Sequence, residues 1–123
     1  MVTILVIDDD RHMRTACSRV LERAGWSVIC ADTGQEGLNV LQSGEHKIDV
    51  ILVDQLMPGM NGMEVLTQIR AITPNLPVIL MTGSATEADA REIKQQGAFD
   101  CLAKPFTPEQ LRNVILNATE KIS

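Results

Sequence analysis

The sequence contains no tyrosine, one tryptophan and two phenylalanines. A flavin-binding module needs aromatic side chains to flank its ring and a Ser/Thr/Gly phosphate loop after the first strand, and neither is here. Basic charge is also short. The net charge is −5, with a pI near 4.9. That counts against direct contact with nucleic acid, which calls for a basic stripe, and against an anionic membrane surface. No apolar run approaches the ~20 residues that cross a bilayer. The N-terminus lacks the basic start and small-residue cleavage site of a signal peptide. Cysteine is too sparse for a framework: Cys17, Cys30 and Cys101 are odd in number, far apart and free of any C-x-x-C pair. They read as free thiols of a reducing cytoplasm. His12 and His46 are too distant in sequence to make a zinc site and read as solvated.

What remains is a balanced globular composition: 45% hydrophobic residues over 123 positions. A chain of that length makes one domain, here 1–123, and buries roughly two-thirds of its unfolded surface. Five short apolar runs recur at Ile4–Ile7, Val28–Cys30, Ile48–Val53, Val78–Met81 and Cys101–Ala103. Most are continuous rather than alternating, as in strands buried on both faces of a parallel sheet.

Helix signals fall between them. Asp10 caps a first helix with the stripe Met13, Ala16, Cys17, Val20, Leu21 and Ala24, stopped by Gly25. Capping boxes open the others: Thr33 with Glu36, Asn61 with Glu64, Ser84 with Glu87 and Thr107 with Gln110. Gly44, Thr73-Pro74 and Gly97 close three of them. The polar tail from Asn117 to Ser123 is expected to fray. Strand and helix thus alternate five times, which predicts an α/β, doubly wound sheet with helices on both faces.

Ligands of such sheets bind beyond the carboxyl ends of the strands. The residues there are Asp8 and Asp9 after the first run, Asp54 after the third, Thr82 after the fourth and Lys104 after the fifth. Two carboxylates ~4 Å apart repel by a few kcal/mol at an effective dielectric near 20. An ammonium or a hard cation must relieve them, and oxygen ligands with room for water favour Mg²⁺.

At these residues the sequence resembles the receiver domains of two-component response regulators. The resemblance rests on "VIDDD", "VDQLMPGMNG", "MTGSA" and "GAFDCLAKPF", in that order, and covers nearly the whole chain. It implies a flavodoxin-like (βα)5 three-layer sandwich with strand order 2-1-3-4-5. It implies a phosphoacceptor rather than an enzyme. Asp54 would take a phosphoryl group from a sensor histidine kinase. Mg²⁺, or Mn²⁺, would be held by Asp9, Asp54 and the Leu56 backbone carbonyl, with Asp8 acting through water. Lys104 and Thr82 would contact the phosphoryl oxygens, and the Lys104–Pro105 bond would be cis. The expected setting is cytoplasmic. Expected partners are the kinase and an effector, in cis beyond the C-terminus or separate. A phosphorylation-dependent homodimer through the fourth helix, fifth strand and fifth helix is also expected, with no direct nucleic-acid or membrane contact.

The sequence departs from the family at Cys101, where Tyr or Phe is usual. The thiol is too small for the usual rotamer lever. Phe99 or the 83–90 segment is expected to carry the switch beside Thr82. Leu56 and Ser84 occupy two positions that tune phosphoryl lifetime in the family. The rival reading is a haloacid-dehalogenase-type aspartate phosphatase with Asp8 as nucleophile. It fits poorly: Arg11 stands where Thr or Val would follow, and no later acidic pair or cap domain is visible.

Overall fold

The computed structural model describes residues 1–83 and 86–120. Five strands alternate with five helices: β1 (Thr3–Ile7), α1 (Arg11–Arg23), β2 (Ser27–Ala31), α2 (Gly34–Ser43), β3 (Val50–Asp54), α3 (Gly62–Ile72), β4 (Val78–Thr82), α4 (Glu87–Gln95), β5 (Asp100–Ala103) and α5 (Pro108–Glu120). All four strand pairings are parallel. The sheet order is β2-β1-β3-β4-β5. The chain therefore reverses direction across the sheet between β1 and β3, where a doubly wound sheet opens its binding crevice.

Burial explains the order. β3 and β4 are buried at every residue, and β1 at all but its first. These continuous apolar runs can only be central. β2 and β5, with exposed or half-buried positions, form the edges. Alternate side chains serve opposite layers. Ile4, Val6, Leu52, Ile79 and Met81 pack with Cys17 and Leu21 of α1 and Leu111 and Ile115 of α5. Leu5, Ile7, Ile51, Val53 and Leu80 pack with Leu38 of α2, Val65 and Ile69 of α3, and Ile93 of α4.

The caps lie largely where the sequence places them. Asp10 accepts from the His12 amide at 2.9 Å. Thr33 accepts from the Glu36 amide at 3.0 Å. Asn61 with Glu64, and Thr107 with Gln110, make reciprocal boxes. Three expectations shift. The cap of α4 is Thr86, whose Oγ1 accepts from the Asp89 amide at 3.2 Å; Ser84 lies outside the described residues. β3 starts at Val50, because Ile48 precedes the register that pairs Val50 with Ile4. The tail does not fray at Asn117: α5 runs to Glu120, held by the fully buried Ala118. Residues 121–123 lie outside the described residues. Among the described residues no helix is long and apolar enough to cross a membrane.

Candidate functional site: an acidic pocket at the strand ends

β1 and β3 are neighbours, with Ile7 opposite Val53. The next residue on each strand is therefore forced to the same place. Those residues are Asp8 and Asp54, and Asp9 follows. One carboxylate oxygen from each of the three lies within 4.8 Å of the others. Asp8 is fully buried, Asp54 is 8% exposed and Asp9 is open to solvent. Asp54 is thus the carboxylate that is both enclosed and reachable.

Lys104 closes the pocket from β5. Its Nζ stands 3.0 Å from Asp54 Oδ1 and 3.6 Å from Asp8 Oδ2. The Lys104 amide donates to the Thr82 carbonyl at 2.7 Å, which ties the end of β5 to the end of β4. The Lys104–Pro105 peptide is cis. Thr82 ends β4 and is buried, one residue past the partner of Asp54 in the β3–β4 register.

The loop after Asp54 is pinned at both ends. The Gln55 amide donates to the Met81 carbonyl, and the Gly62 amide donates to the Gln55 carbonyl, each at 2.9 Å. Glycine is required at 62: a Cβ there would stand 2.5 Å from the Asp54 carbonyl oxygen. Leu56 projects from this loop, 76% exposed.

The charges are unevenly satisfied. Asp8 Oδ1 accepts from the Asp10 amide at 2.9 Å. Its Oδ2 is buried with no hydrogen-bond partner. Burial pushes the Asp8 carboxyl above its ordinary pKa, and the charges of Asp54 and Asp9 add to this. The Asp10 amide and Lys104 oppose it without prevailing. Burial alone would lower the Lys104 ammonium. Its hydrogen bond to Asp54 and the charges of Asp8 and Asp54 outweigh that and hold it above its usual value. One ammonium thus faces three carboxylates, and a buried oxygen still lacks a donor. Hard anionic oxygens left over in this way suit a hard divalent cation.

The remaining residues singled out from the sequence lie nearby but apart from the triad. Cys101 is half-buried in β5, and burial raises its thiol pKa. Phe99 is half-buried against the α1/α5 layer, its amide donating to the Val78 carbonyl at 2.8 Å. A cleft of about 370 Å³ beside Thr82 is lined by Gln55, Leu56, Met63, Gly83 and Ile93, among others. Sequence reasoning missed Arg14, whose Nη1 donates to the Asp8 carbonyl at 2.7 Å. Its place on the half-buried side of α1, six residues after Asp8, was the available signal.

Comparison with known proteins agrees with this geometry. Residues 4–116 match the response regulator receiver domain. The chain is 35% identical over 118 residues to the transcriptional regulatory protein GlrR of Escherichia coli strain K12, covering 96% of this chain and 26% of that protein. It is 37% identical over 111 residues to the transcriptional regulatory protein CpxR of the same strain, covering 90% and 46%. It therefore spans about a quarter to a half of the length of these relatives. Among solved structures, a response regulator receiver domain protein from Clostridium thermocellum superposes with a TM-score of 0.91 at 36% identity, covering 98% of this chain and 96% of that one. The chemotaxis response regulator CheY4 of Vibrio cholerae gives 0.88 at 32% identity, covering 96% and 98%. These matches leave no place for the aspartate phosphatase with Asp8 as nucleophile, and the full burial of Asp8 disfavours it independently. Strand order, acidic pocket and relatives agree: the chain belongs to the response regulator receiver domain family of two-component systems, whose members are signalling phosphoacceptors rather than enzymes.

Proposed function

We propose that Asp54 accepts a phosphoryl group from the phosphohistidine of a sensor histidine kinase. The observation that carries this is the pairing of Asp54 with Lys104 at 3.0 Å inside the three-carboxylate pocket. An Asp54 oxygen attacks phosphorus, the bond from phosphorus to the imidazole nitrogen breaks, and its electron pair leaves with the histidine. Such transfer depends on in-line positioning and on neutralised equatorial oxygens more than on covalent help. Asp9, Asp54 and the Leu56 carbonyl would hold Mg²⁺, or Mn²⁺, with Asp8 acting through water. The cation, when bound, supplies positive charge to the phosphoryl oxygens. Lys104 supplies the rest, already aimed at the acceptor oxygen. The Thr82 hydroxyl turns towards the new phosphoryl group and donates to it. The added charge and acceptor oxygens then favour a second arrangement of the loop after β4.

That rearrangement is read at the surface of α4, β5 and α5, by a homodimer or by an effector joined in cis or separate. Cys101 removes the usual aromatic lever, so Phe99 or the 83–90 segment carries the coupling. The setting is cytoplasmic, where the kinase and its ATP are found. Acetyl phosphate with Mg²⁺ tests the reaction without the kinase. Mass spectrometry of the labelled protein should place the modification on Asp54, and Asp54→Asn should abolish it. Label on Asp8, or label that survives Asp54→Asn, refutes the assignment.

A further inference from the structure

We propose that Arg14 is a positioning residue for the cation site, aiming Asp9 through the backbone without touching the cation. The proposal rests on the reading of the triad as a divalent-cation site. Arg14 is half-buried on α1, and its Nη1 donates to the Asp8 carbonyl at 2.7 Å. That carbonyl belongs to the peptide plane leading into Asp9. A charged donor there fixes the direction in which Asp9 leaves the strand, and charge-assisted bonds of this length are the stronger kind.

Asp9 needs such a hold. Its carboxylate is exposed, and among the described residues no hydrogen bond reaches it. Its neighbours are tied independently: the Asp8 amide donates to the Ala31 carbonyl at 3.1 Å, and the Asp10 amide to Asp8 Oδ1 at 2.9 Å. The Arg14 amide also donates to the Asp10 carbonyl at 3.0 Å. That second bond is the first backbone bond of α1 and holds with any residue at 14, so the hold peculiar to arginine is the one on the Asp8 carbonyl.

A guanidinium beside a cation site would ordinarily repel the cation. The Arg14 charge also acts on Glu36 of α2, pulling its carboxyl pKa down against the larger effect of the hydrogen bond with Asp32, which raises it.

Position and charge predict opposite signs, which makes the test decisive. Mg²⁺ affinity is measured by calorimetric titration of the wild type, Arg14→Gln and Arg14→Lys. Acetyl-phosphate labelling is then compared at saturating Mg²⁺. Partners that orient metal ligands typically cost about 10- to 100-fold in affinity when removed. Arg14→Gln should raise the Mg²⁺ dissociation constant about 10-fold, with Arg14→Lys in between, because lysine keeps the charge but not the planar fork. Labelling at saturation should stay within about twofold, since the transferring groups are untouched. Unchanged or tighter binding by Arg14→Gln overturns the proposal; tighter binding is what loss of a mere positive charge predicts. If Arg14→Gln does not fold, Arg14→Lys decides alone, and wild-type affinity there overturns it. A wild type that takes up no Mg²⁺ overturns the cation reading itself, and this proposal with it.

Discussion

Replacing Asp8 by asparagine should stabilise the protein in the absence of divalent cations while removing its response to them. The side chain is fully buried, and its Oδ2 has no hydrogen-bond partner. Three charge interactions change, of which the repulsion from Asp9 is the most screened, because Asp9 is exposed to solvent. Attraction to Lys104 Nζ at 3.6 Å is worth about 4–5 kcal/mol at an effective dielectric of 20. Repulsion from the Asp54 carboxylate, within 4.8 Å, is worth about 3–4 kcal/mol on the same scale. Lys104 is a quarter exposed, so solvent screens its side of the balance further. The Lys104 and Asp54 interactions nearly cancel. What is left is the burial of the carboxylate itself, which costs several kcal/mol per ion even after relaxation. Asparagine removes that cost and keeps an Oδ1 to accept from the Asp10 amide. We expect a net gain of about 1–3 kcal/mol, or a rise in Tm of roughly 5–10 °C for a domain of this size.

Thermal melts by circular dichroism in EDTA and in excess Mg²⁺ read this directly. Wild type should gain stability with Mg²⁺ as a ligand of the native state alone, and Asp8→Asn should gain much less. The pH dependence carries the same sign. The Asp8 carboxyl is raised above 3.8 in the native state, so the native protein binds more protons than the unfolded chain. The contribution of Asp8 to the stability of the cation-free wild type therefore falls as pH rises from the ordinary carboxylate range through its native pKa, and is level above it. The advantage of Asp8→Asn should be smallest in acid and complete at neutral pH. A variant that melts at or below the wild type in EDTA at neutral pH refutes the reasoning, because it would make the Lys104 attraction the larger effect.

Two further outcomes follow from the loop after Asp54. Gly62→Ala puts a Cβ 2.5 Å from the Asp54 carbonyl oxygen and 2.9 Å from the Gln55 Cα, and backbone cannot yield as a side chain can. It should lower stability by about 2–3 kcal/mol in urea denaturation and slow acetyl-phosphate labelling, because the displaced carbonyl belongs to the acceptor residue; a neutral effect on both would show that the loop is loose. Leu56 is exposed at the pocket mouth and cannot orient an attacking water. The phosphorylated form should persist for minutes or longer in a radiolabel chase, and a half-life of seconds would show that another group positions the water.

The parts of this protein that were legible in the sequence are those set by strong, local or repeated signals. Continuous apolar runs give central strands, and five alternations leave a doubly wound sheet as the simple solution. The caps at Thr33, Asn61 and Thr107 are local chemistry and fell where the pattern placed them. The α4 start was misplaced because Ser84 and Thr86 both suit a cap, and only the path of the chain after β4 selects Thr86. Asn117 to Glu120 was misread because polarity outside a helix says nothing of the one small residue, Ala118, that faces in. Arg14 was missed for a different reason: its spacing from Asp8 was a weak signal, and its partner is a backbone carbonyl, which has no letter in the sequence.

The acidic pocket was the most legible feature, and the fold shows why. Parallel strands about 4.8 Å apart with Ile7 opposite Val53 cannot keep the residues that follow from meeting. Placing aspartates there commits the chain to a repulsion that one lysine only partly relieves. Burial raises the cost by excluding water from Asp8, and leaves that carboxylate short of a donor. The same burial raises the affinity for whatever positive charge enters, since that charge is no longer screened. The pocket is thus least stable when empty of positive charge. On the proposed reading, the free energy lost in holding it together is returned when a cation and then a phosphoryl group occupy it. Asp8 is the sharpest probe of that exchange, because it bears most of the burial yet stands outside the bond that forms.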